Sequence, residues 1–234
     1  MTNLHKTIGA ILLLLCMCVC AWGQLPIDPN PEYGGKWLPR TGTLVKRDGP
    51  TGAPVATLAL DGQLSWTSTQ AATASTTAIH AAVTDNATNQ TITTGITAPP
   101  CGRNLSVTYG GSTITAVGPT IYGNDMAGAI ISEALPVATV NTTGTKYGTK
   151  IFAGVSSVYV PVNASGATMA IGTGSKLGVP FKLSSSTVSA TCLNGTLEGT
   201  APTVTFDPAN LYANGITLNS SLNSTPVTCY VKVP

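Results

Sequence analysis

The sequence is most unusual in how few charged side chains it has. Charged residues make up 9% of its 234 residues, whereas an ordinary globular domain has roughly 25%. Threonine, serine, alanine, glycine and asparagine take their place, so we expect a surface solvated by hydroxyl and amide groups. The formal net charge is only +2, and the arginines Arg40, Arg47 and Arg103 do not cluster. A basic surface of the kind that binds nucleic acid is therefore not expected.

The residue patterns of common catalytic and cofactor sites are also missing. The chain has two histidines, and His80 has no serine or cysteine motif to pair with. Gly172–Lys176 (GTGSK) lacks the leading glycine and the following helix of a phosphate-binding loop. The nine acidic residues are spread through turns and strand ends, which gives little support to a glycosidase-like pair. We therefore predict a non-enzymatic protein with no catalytic residues and no cofactor.

The N-terminus contains one apolar run, and it is too short to cross a bilayer. Ile8–Cys20 is uninterrupted by charge, but a membrane-spanning helix needs about 20 residues. Ala21 and Gly23 are small residues at the positions that a signal peptidase reads, with Gln24 next. This pattern predicts a cleaved signal peptide over residues 1–23, and no stable membrane span after its removal. A buried N-terminal helix is the alternative.

Cysteines are few beyond the leader, and none has metal-site spacing. Cys101, Cys192 and Cys229 remain, with no C-x-x-C pair and no Cys/His pair at ligand spacing, so we expect no metal site. Strand alternation places Cys192 and Cys229 on apolar faces, and if their strands are neighbours the sulfurs could meet. We therefore predict a disulfide between Cys192 and Cys229, with Cys101 left as a thiol. Three buried free cysteines are the alternative.

The region after the leader is rich in proline and glycine. Gln24–Pro54 contains repeated prolines, each of which fixes φ and removes a backbone N–H donor. We therefore predict an extended N-terminal arm over residues 24–54. Tyr33 and Trp37 are its large apolar groups, and we expect them to anchor the arm on the body of the protein or on a neighbouring subunit.

Residues 55–90 form an alanine- and threonine-rich hairpin and connector in this interpretation. Asp61-Gly62 lies between two apolar runs, which is a pattern typical of a two-residue hairpin turn. Gln70–Asn89 has alanine that favours a helix and threonine that favours a strand, so its structure stays undecided.

Residues 91–234 show short runs of β-branched and aromatic residues separated by turns. In Val227–Val233 the apolar residues alternate with polar ones, as in a strand with one buried face. Asn194-Gly195 predicts a tight hairpin. Lys150–Phe181 predicts a strand, a second short strand and an irregular glycine-rich connector at its end. These patterns predict an all-β body, an antiparallel β-sandwich or a partly open barrel.

The same region resembles a family of β-rich virion structural proteins of tailed bacteriophages and prophages. The resemblance covers Thr91 to Val233 and not the arm or Val55–Asn89. It is carried by the order and spacing of LPVATVNTTGT (Leu135–Thr145), VSSVYVP (Val155–Pro161), IGTGSKLGVPFKL (Ile171–Leu183), LNGT (Leu193–Thr196) and LNSSLNSTPVTCYV (Leu218–Val231).

The resemblance implies a capsid-associated or decoration-like component of a phage particle. Its partners would be other virion proteins or further copies of the same chain, in a homo-oligomer, and its location the virion. The leader at residues 1–23 points in another direction, because virions assemble in the cytoplasm. The second hypothesis is therefore an exported β-sandwich, periplasmic or extracellular, that binds a surface or a carbohydrate.

Overall fold

The protein is built almost entirely from antiparallel β-strands. A computed structural model describes residues 38–39 and 60–233, except residues 164 and 187. Strand makes up 50% of the structure and helix 2%, and one sheet is curled into a half-barrel. The predicted all-β antiparallel fold is therefore confirmed. The leader (residues 1–23) and the arm anchors Tyr33 and Trp37 lie outside the described residues.

The described strands belong to three sheets, which we call A, B and C. The strands in chain order are β1 (Leu38–Pro39), β2 (Leu60–Trp66), β3 (Ser75–Thr84), β4 (Gln90–Ile92), β5 (Arg103–Gly111), β6 (Thr120–Asn124), β7 (Ile130–Ala134), β8 (Gly144–Phe152), β9 (Gly154–Val160), β10 (Ala167–Gly178), β11 (Val188–Leu193), β12 (Thr196–Leu197), β13 (Thr203–Thr205), β14 (Gly215–Thr217) and β15 (Val227–Val233). A short 3-10 helix covers Leu211–Ala213.

Sheet A joins the two ends of the described chain. Its order is β1-β2-β15-β11-β12, and β2 pairs with β15 from Val227↔Trp66 to Val233↔Leu60. Val227, Cys229 and Val231 are buried, as the predicted alternation of this strand requires. The predicted Asn194-Gly195 hairpin is also formed, because Leu193 pairs with Thr196 and both turn residues have positive φ.

Sheet B contains the longest strand, β10, which has 12 residues. The sheet order is β13-β14-β10-β5-β8, and β3 also pairs with β10. The side of β10 away from β5 is shared: β3 pairs with it up to Thr173, and β14 pairs with Leu177 and Gly178. β10 therefore pairs with three strands, β5, β3 and β14.

Sheet C is a four-stranded layer of order β4-β9-β6-β7. Its β6–β7 hairpin is closed at Asn124↔Ile130. The chain passes from β8 of sheet B to β9 of sheet C at Ala153, whose N–H donates to the carbonyl of Asn124.

Two separate hydrophobic cores hold the sheets together. The first lies between sheets B and C and includes Val107, Ile171, Ile121 and Val158. The second lies between sheet A and the other half of sheet B, and includes Trp66, Val227, Leu177 and Ile216. Because β10 contributes Ile171 to the first core and Leu177 to the second, it passes between them.

Two local predictions are wrong, and both concern glycine. Asp61-Gly62 is not a hairpin turn, because β2 runs through it. The glycine-rich connector expected after Ile171 is the second half of β10. Gln70–Asn89, which was undecided, contains β3, a strand of 10 residues. Thus β2 and β3, from the region expected to form a hairpin and connector, pair with β15 and β10 of the body.

Candidate functional site

The most distinctive site is a polar interruption of β10 between the two cores, which we call the waist. It consists of Arg103, Asn104 and Gly174–Lys176. β10 pairs with β5 as far as Thr173 and again at Leu177, with a register shift between them. On the other side β3 stops at Thr173 and β14 begins at Leu177. Among the described strands, none pairs with Gly174–Lys176 on either side.

Arg103 crosses the waist as a fully buried cation. Its side chain is 0% exposed, and its guanidinium donates to the carbonyl of Ala72 at 2.6 Å and to the carbonyl of Gly174. Burial lowers the pKa of the Arg103 guanidinium, and the nearby Cys101 thiol acts in the opposite direction. Since arginine stays protonated in proteins, the charge is held by backbone carbonyl dipoles. The segment after β2 is thereby tied to the interruption in β10.

Asn104 makes hydrogen bonds where the described strands leave this part of β10 unpaired. Its Oδ1 accepts from the backbone N–H of Lys176 at 3.0 Å, and its Nδ2 donates to the carbonyl of Gly148 at 3.1 Å. Gly174 is required here, because a Cβ at that position would lie 2.4 Å from Asn104 Oδ1. One buried amide therefore connects β10 with β8 across β5.

A second interruption, in β8, is filled by a carboxylate from sheet C. The register of β8 on β5 shifts between Asn104 and Ser106, at Gly148–Lys150. Glu133 Oε1 accepts from the backbone N–H of Thr149 at 2.7 Å, from its Oγ1 at 2.9 Å, and from the N–H of Lys150 at 3.2 Å. Glu133 therefore links β7 of sheet C to the outer edge of β8 in sheet B.

Two lysines lie around this carboxylate. Lys150 donates from Nζ to the carbonyl of Ser132 at 2.8 Å, and the same Nζ lies 4.6 Å from the centre of the Tyr212 ring. Burial lowers the pKa of Lys176, while Glu133 acts to raise it. Few charged residues exist in this chain, and several of them meet where sheets B and C are joined.

A second carboxylate, Asp85, is buried and holds loops together. Its Oδ1 accepts from the N–H of Ala87 and its Oδ2 from the N–H of Asn163, both at 2.6 Å. Asn163 Oδ1 in turn accepts from the N–H of Thr115 at 2.8 Å. Asp85, like Glu133, thus accepts hydrogen bonds from backbone N–H groups. Within the described ranges, no three His, Cys, Asp or Glu side chains come together as metal ligands would.

The predicted Cys192–Cys229 disulfide is not formed in the structure. The strands β11 and β15 are neighbours, but the register places Cys229 opposite Thr191 and Cys192 opposite Thr228. Neighbouring residues of a strand point to opposite faces, so the two thiols are separated by the sheet. Cys101, Cys192 and Cys229 are all free. Burial raises the pKa of Cys101 and of Cys229 to about 12.

The outward side of sheet C is a hydroxyl-rich surface without charge, which we call the C face. The inward residues of its strands are buried or half-buried, and Glu133, the charged residue of this sheet, is on the inward side. Outward positions on four adjacent strands carry mostly tyrosine, threonine, serine and alanine, namely Thr91, Thr120, Tyr122, Ser132, Ala134, Ser157 and Tyr159, together with Ile130, which is 91% exposed.

Tyr122 is 43% exposed, and it lies opposite Ser132 on one side and Ser157 on the other. Tyr159 is the diagonal neighbour, since it is two residues beyond Ser157 on β9. The C face therefore presents two aromatic rings among small hydroxyl side chains.

Comparisons with known proteins give no match: no protein-family model, no curated protein and no solved structure is significantly similar to this chain. Among the residues that the structure describes, no helix is long and apolar enough to cross a membrane.

Sequence reasoning did not single out the waist or the C face. Arg103 was noted only as one of three scattered arginines, and Asn104 was not singled out. A signal was present, because charged and amide residues directly before an apolar strand are rare in this chain. The C face was not recognisable, since its strands are paired out of sequence order.

Proposed function

We propose that this chain is a non-enzymatic structural component of a phage-like particle, associated with the capsid or decorating it. It contacts other virion proteins, or further copies of itself, through its sheet surfaces and its N-terminal arm. The observation that carries the proposal is the C face. The resemblance of Thr91–Val233 to virion proteins supports it independently.

The C face is suited to close contact for a physical reason. Burying a charged group costs several kcal/mol unless it is paired, and the centres of protein interfaces are depleted of charge and enriched in tyrosine. Tyr122 and Tyr159 supply area with few rotatable bonds, and the surrounding hydroxyls can donate or accept. A partner can therefore cover the C face without desolvating an ion.

The charged side chains support a structural role as well. Glu133, Asp85 and Arg103 are each bonded to backbone groups of other segments. Groups used in this way stabilise loops and strand interruptions. This pattern is what a rigid building block requires.

The test is to look for this chain in particles made from the genome that encodes it. Mass spectrometry of purified particles should detect it, and flanking genes should encode portal, capsid and tail proteins. Tyr122→Glu should reduce its incorporation, because the carboxylate would have to be desolvated in the contact. Thr200→Glu, at an exposed position off the C face, should leave incorporation unchanged. Absence of the expressed chain from intact particles would overturn the proposal.

The second candidate is an exported β-protein that binds a surface or a carbohydrate, and the apolar run Ile8–Cys20 favours it. Expression in a bacterium followed by N-terminal sequencing separates the two candidates. A chain that begins at Gln24 outside the cytoplasm would favour export. A chain that retains residues 1–6 in purified particles would favour the virion component.

A further inference from the structure

We propose that the C face binds the C face of a second copy of this chain, in a two-fold contact where a ridge on each copy lies in a groove on the other. The inference rests on the proposed function, because it names the partner of the surface on which that function depends. The ridge consists of Ile130, Tyr122 and Tyr159, and the groove consists of Thr120, Ser132 and Ala134.

The ridge is a line of three large side chains that runs diagonally across three adjacent strands. Tyr159 on β9 lies opposite Thr120 on β6. Tyr122 is two residues farther along β6, and Ile130 on β7 lies opposite Asn124, two residues farther again. Successive members are diagonal neighbours, about 7–8 Å apart and within reach of each other. Ile130 has the largest exposed fraction, 91%, of the large hydrophobic side chains that the structure describes.

The groove lies on the β7 side of the ridge, where the outward side chains are small. Thr120 pairs with Ala134, and Ser132 is two residues before Ala134 on the same face. The corner on the other side is occupied by an amide. A Cβ at Gly154 would lie 2.6 Å from Asn124 Oδ1, so the Asn124 side chain lies over that glycine. The space for a second ridge is therefore on the β7 side.

A surface with one ridge beside one groove is complementary to itself. A two-fold axis parallel to the ridge, passing between ridge and groove, places each ridge over the groove of the other copy. The same patch is then used on both copies, as in most symmetric dimers. Packed sheets lie about 10 Å apart, a separation that tyrosine and isoleucine side chains can fill.

The chemistry of the C face also favours a copy of itself over a charged partner. Groups close to a two-fold axis meet their own copies, so a charge there would face a like charge. The described residues of the C face carry no charge, and each hydroxyl can both donate and accept. A partner that depends on charge complementarity would find no charge to pair with. The nearby Lys150 belongs to β8, and its Nζ is bonded to the carbonyl of Ser132 and lies over the Tyr212 ring.

The size of the C face indicates a contact that needs many copies. Sheet C has four strands, and β6 is five residues long. With strands about 4.8 Å apart and about 3.4 Å per residue, such a face covers roughly 300 Å² on each copy. Two copies bury roughly 600 Å², whereas a stable complex buries about 1,200–2,000 Å². The contact is therefore weak between two free copies and becomes effective where copies are held close together.

The experiment uses single-cysteine variants of the full chain, because disulfide formation captures a weak contact. The accessible or undescribed cysteines are first replaced by serine, namely Cys16, Cys18, Cys20 and Cys192, and Cys101 and Cys229 remain because they are buried. Ser132→Cys then places a thiol between ridge and groove, where it meets its own copy across the axis. The protein is oxidised at about 1 mM, and linked dimers are measured on a non-reducing gel and by mass spectrometry.

We expect Ser132→Cys to form dimers on the order of tenfold faster than two control variants. Ser157→Cys lies on the other side of the ridge, opposite Tyr122, so the two-fold contact keeps its thiol away from that of the second copy. Thr200→Cys is exposed and off the C face, and it reports random collision. Equal rates for the three variants would overturn the inference.

Removal of the central ring tests the ridge itself. Tyr122→Ser in the Ser132→Cys chain should lower the dimer rate to that of Thr200→Cys, whereas Tyr122→Phe should retain it. Tyr122 is 43% exposed, and circular dichroism should show that both variants stay folded. An unchanged rate in Tyr122→Ser would also overturn the inference, because the ridge would then not be the contact.

The outcome can be separated from that of the proposed function. If Ser132→Cys does not link but Tyr122→Glu lowers incorporation into particles, the C face binds another virion protein, and only the self-contact is refuted. If Ser132→Cys links selectively and the chain is absent from particles, the self-contact stands and the proposed function is refuted.

Discussion

At the scale of single residues, the few polar side chains that are buried act as substitutes for strand pairing. Asn104 is the clearest case, because its amide meets a backbone N–H of β10 and a carbonyl of β8. A buried backbone group without a partner costs about 1–3 kcal/mol. Asn104 could not be singled out from the sequence, since composition alone cannot tell which asparagine is buried.

Replacing Asn104 by alanine should therefore destabilise the protein by about 2–4 kcal/mol, because two backbone groups lose their partner together. Denaturant unfolding followed by circular dichroism measures the change. Asn219→Ala is the matched control, since Asn219 is exposed and such substitutions change stability by less than about 0.5 kcal/mol. Equal effects of the two substitutions would show that the waist does not depend on the Asn104 amide.

For the cysteines, strand alternation predicts which face a residue occupies but not which residue lies opposite it. The alternation of β15 correctly placed Cys229 on the buried face, and β11 is a neighbour of β15, which was the condition for the predicted disulfide. The register between β11 and β15 is set by pairing between segments that are far apart in the chain. The sequence around each cysteine therefore does not determine it. A shift of one residue puts Cys192 on the opposite face, so the predicted disulfide is replaced by free thiols.

The buried thiol of Cys229 should make stability fall at alkaline pH. Burial raises its pKa to about 12 from an ordinary value of 9.0, and Cys192 adds to the shift. The thiol stays neutral in the folded protein, whereas the unfolded chain loses the proton above pH 9 and is stabilised. The contribution of Cys229 to stability is therefore complete below pH 9 and declines as the pH rises towards 12.

The free energy of unfolding, measured at pH 9 and at pH 10 for the wild type and for Cys229→Ala, isolates this effect. The wild type should lose about 1 kcal/mol more than the variant over this interval. The comparison is internal, because Lys176, Arg103 and the other titrating groups are the same in both proteins. A difference that does not change with pH would mean that the thiol is accessible to solvent in the folded state.

At the scale of elements, β10 organises the molecule by pairing with three other strands, β5, β3 and β14. Its glycines led the sequence analysis to end the strand at Ile171, because glycine usually weakens strands. In this protein Gly172 allows the backbone of β3 to approach. A Cβ at Gly172 would lie 1.9 Å from the carbonyl oxygen of Ser75. Local propensity could not anticipate a requirement that comes from a strand about 90 residues earlier in the chain.

Gly172→Ala should therefore separate β3 from β10 and destabilise the protein by about 3 kcal/mol, since the methyl group meets backbone that has no room to move. Hydrogen exchange should report the loss along Ser75–Thr84, and denaturant unfolding should report its size. Gly199→Ala is the control, because a Cβ there would meet nothing within 4 Å. Unchanged exchange of β3 amides in Gly172→Ala would contradict the assigned pairing.

At the scale of the whole molecule, the chain is closed by sheet A, in which β2 near the start of the described body pairs with β15 at its end. Within residues 91–234 the sequence predicted strands such as β11 and β15 well, because period-two alternation and turn residues are local. The single strand expected at the start of Lys150–Phe181 is instead the end of β8 and the whole of β9, which belong to different sheets. It did not predict that β2 and β3 pair with strands of residues 91–234, because the local sequence of a strand does not specify a partner that is distant in the chain. The waist was missed for the same reason: its parts, at Ala72, Arg103, Gly148 and Gly174, meet only in the fold.

Removing residues 24–53 should leave the body folded and weaken assembly. The deletion removes β1, which pairs with only Gly62 and Gln63, whereas both hydrophobic cores and the full β2–β15 pairing remain. Thermal melting followed by far-ultraviolet circular dichroism should still show one cooperative transition. Gel filtration should show weaker association for the deleted protein than for the full chain, because the proposed function assigns contacts between copies to the arm. Deleting Val227–Val233 is the contrasting variant, because it removes the centre of sheet A and should abolish the transition. If deletion of residues 24–53 also abolishes the transition, the arm belongs to the core, and its role in joining copies has no support.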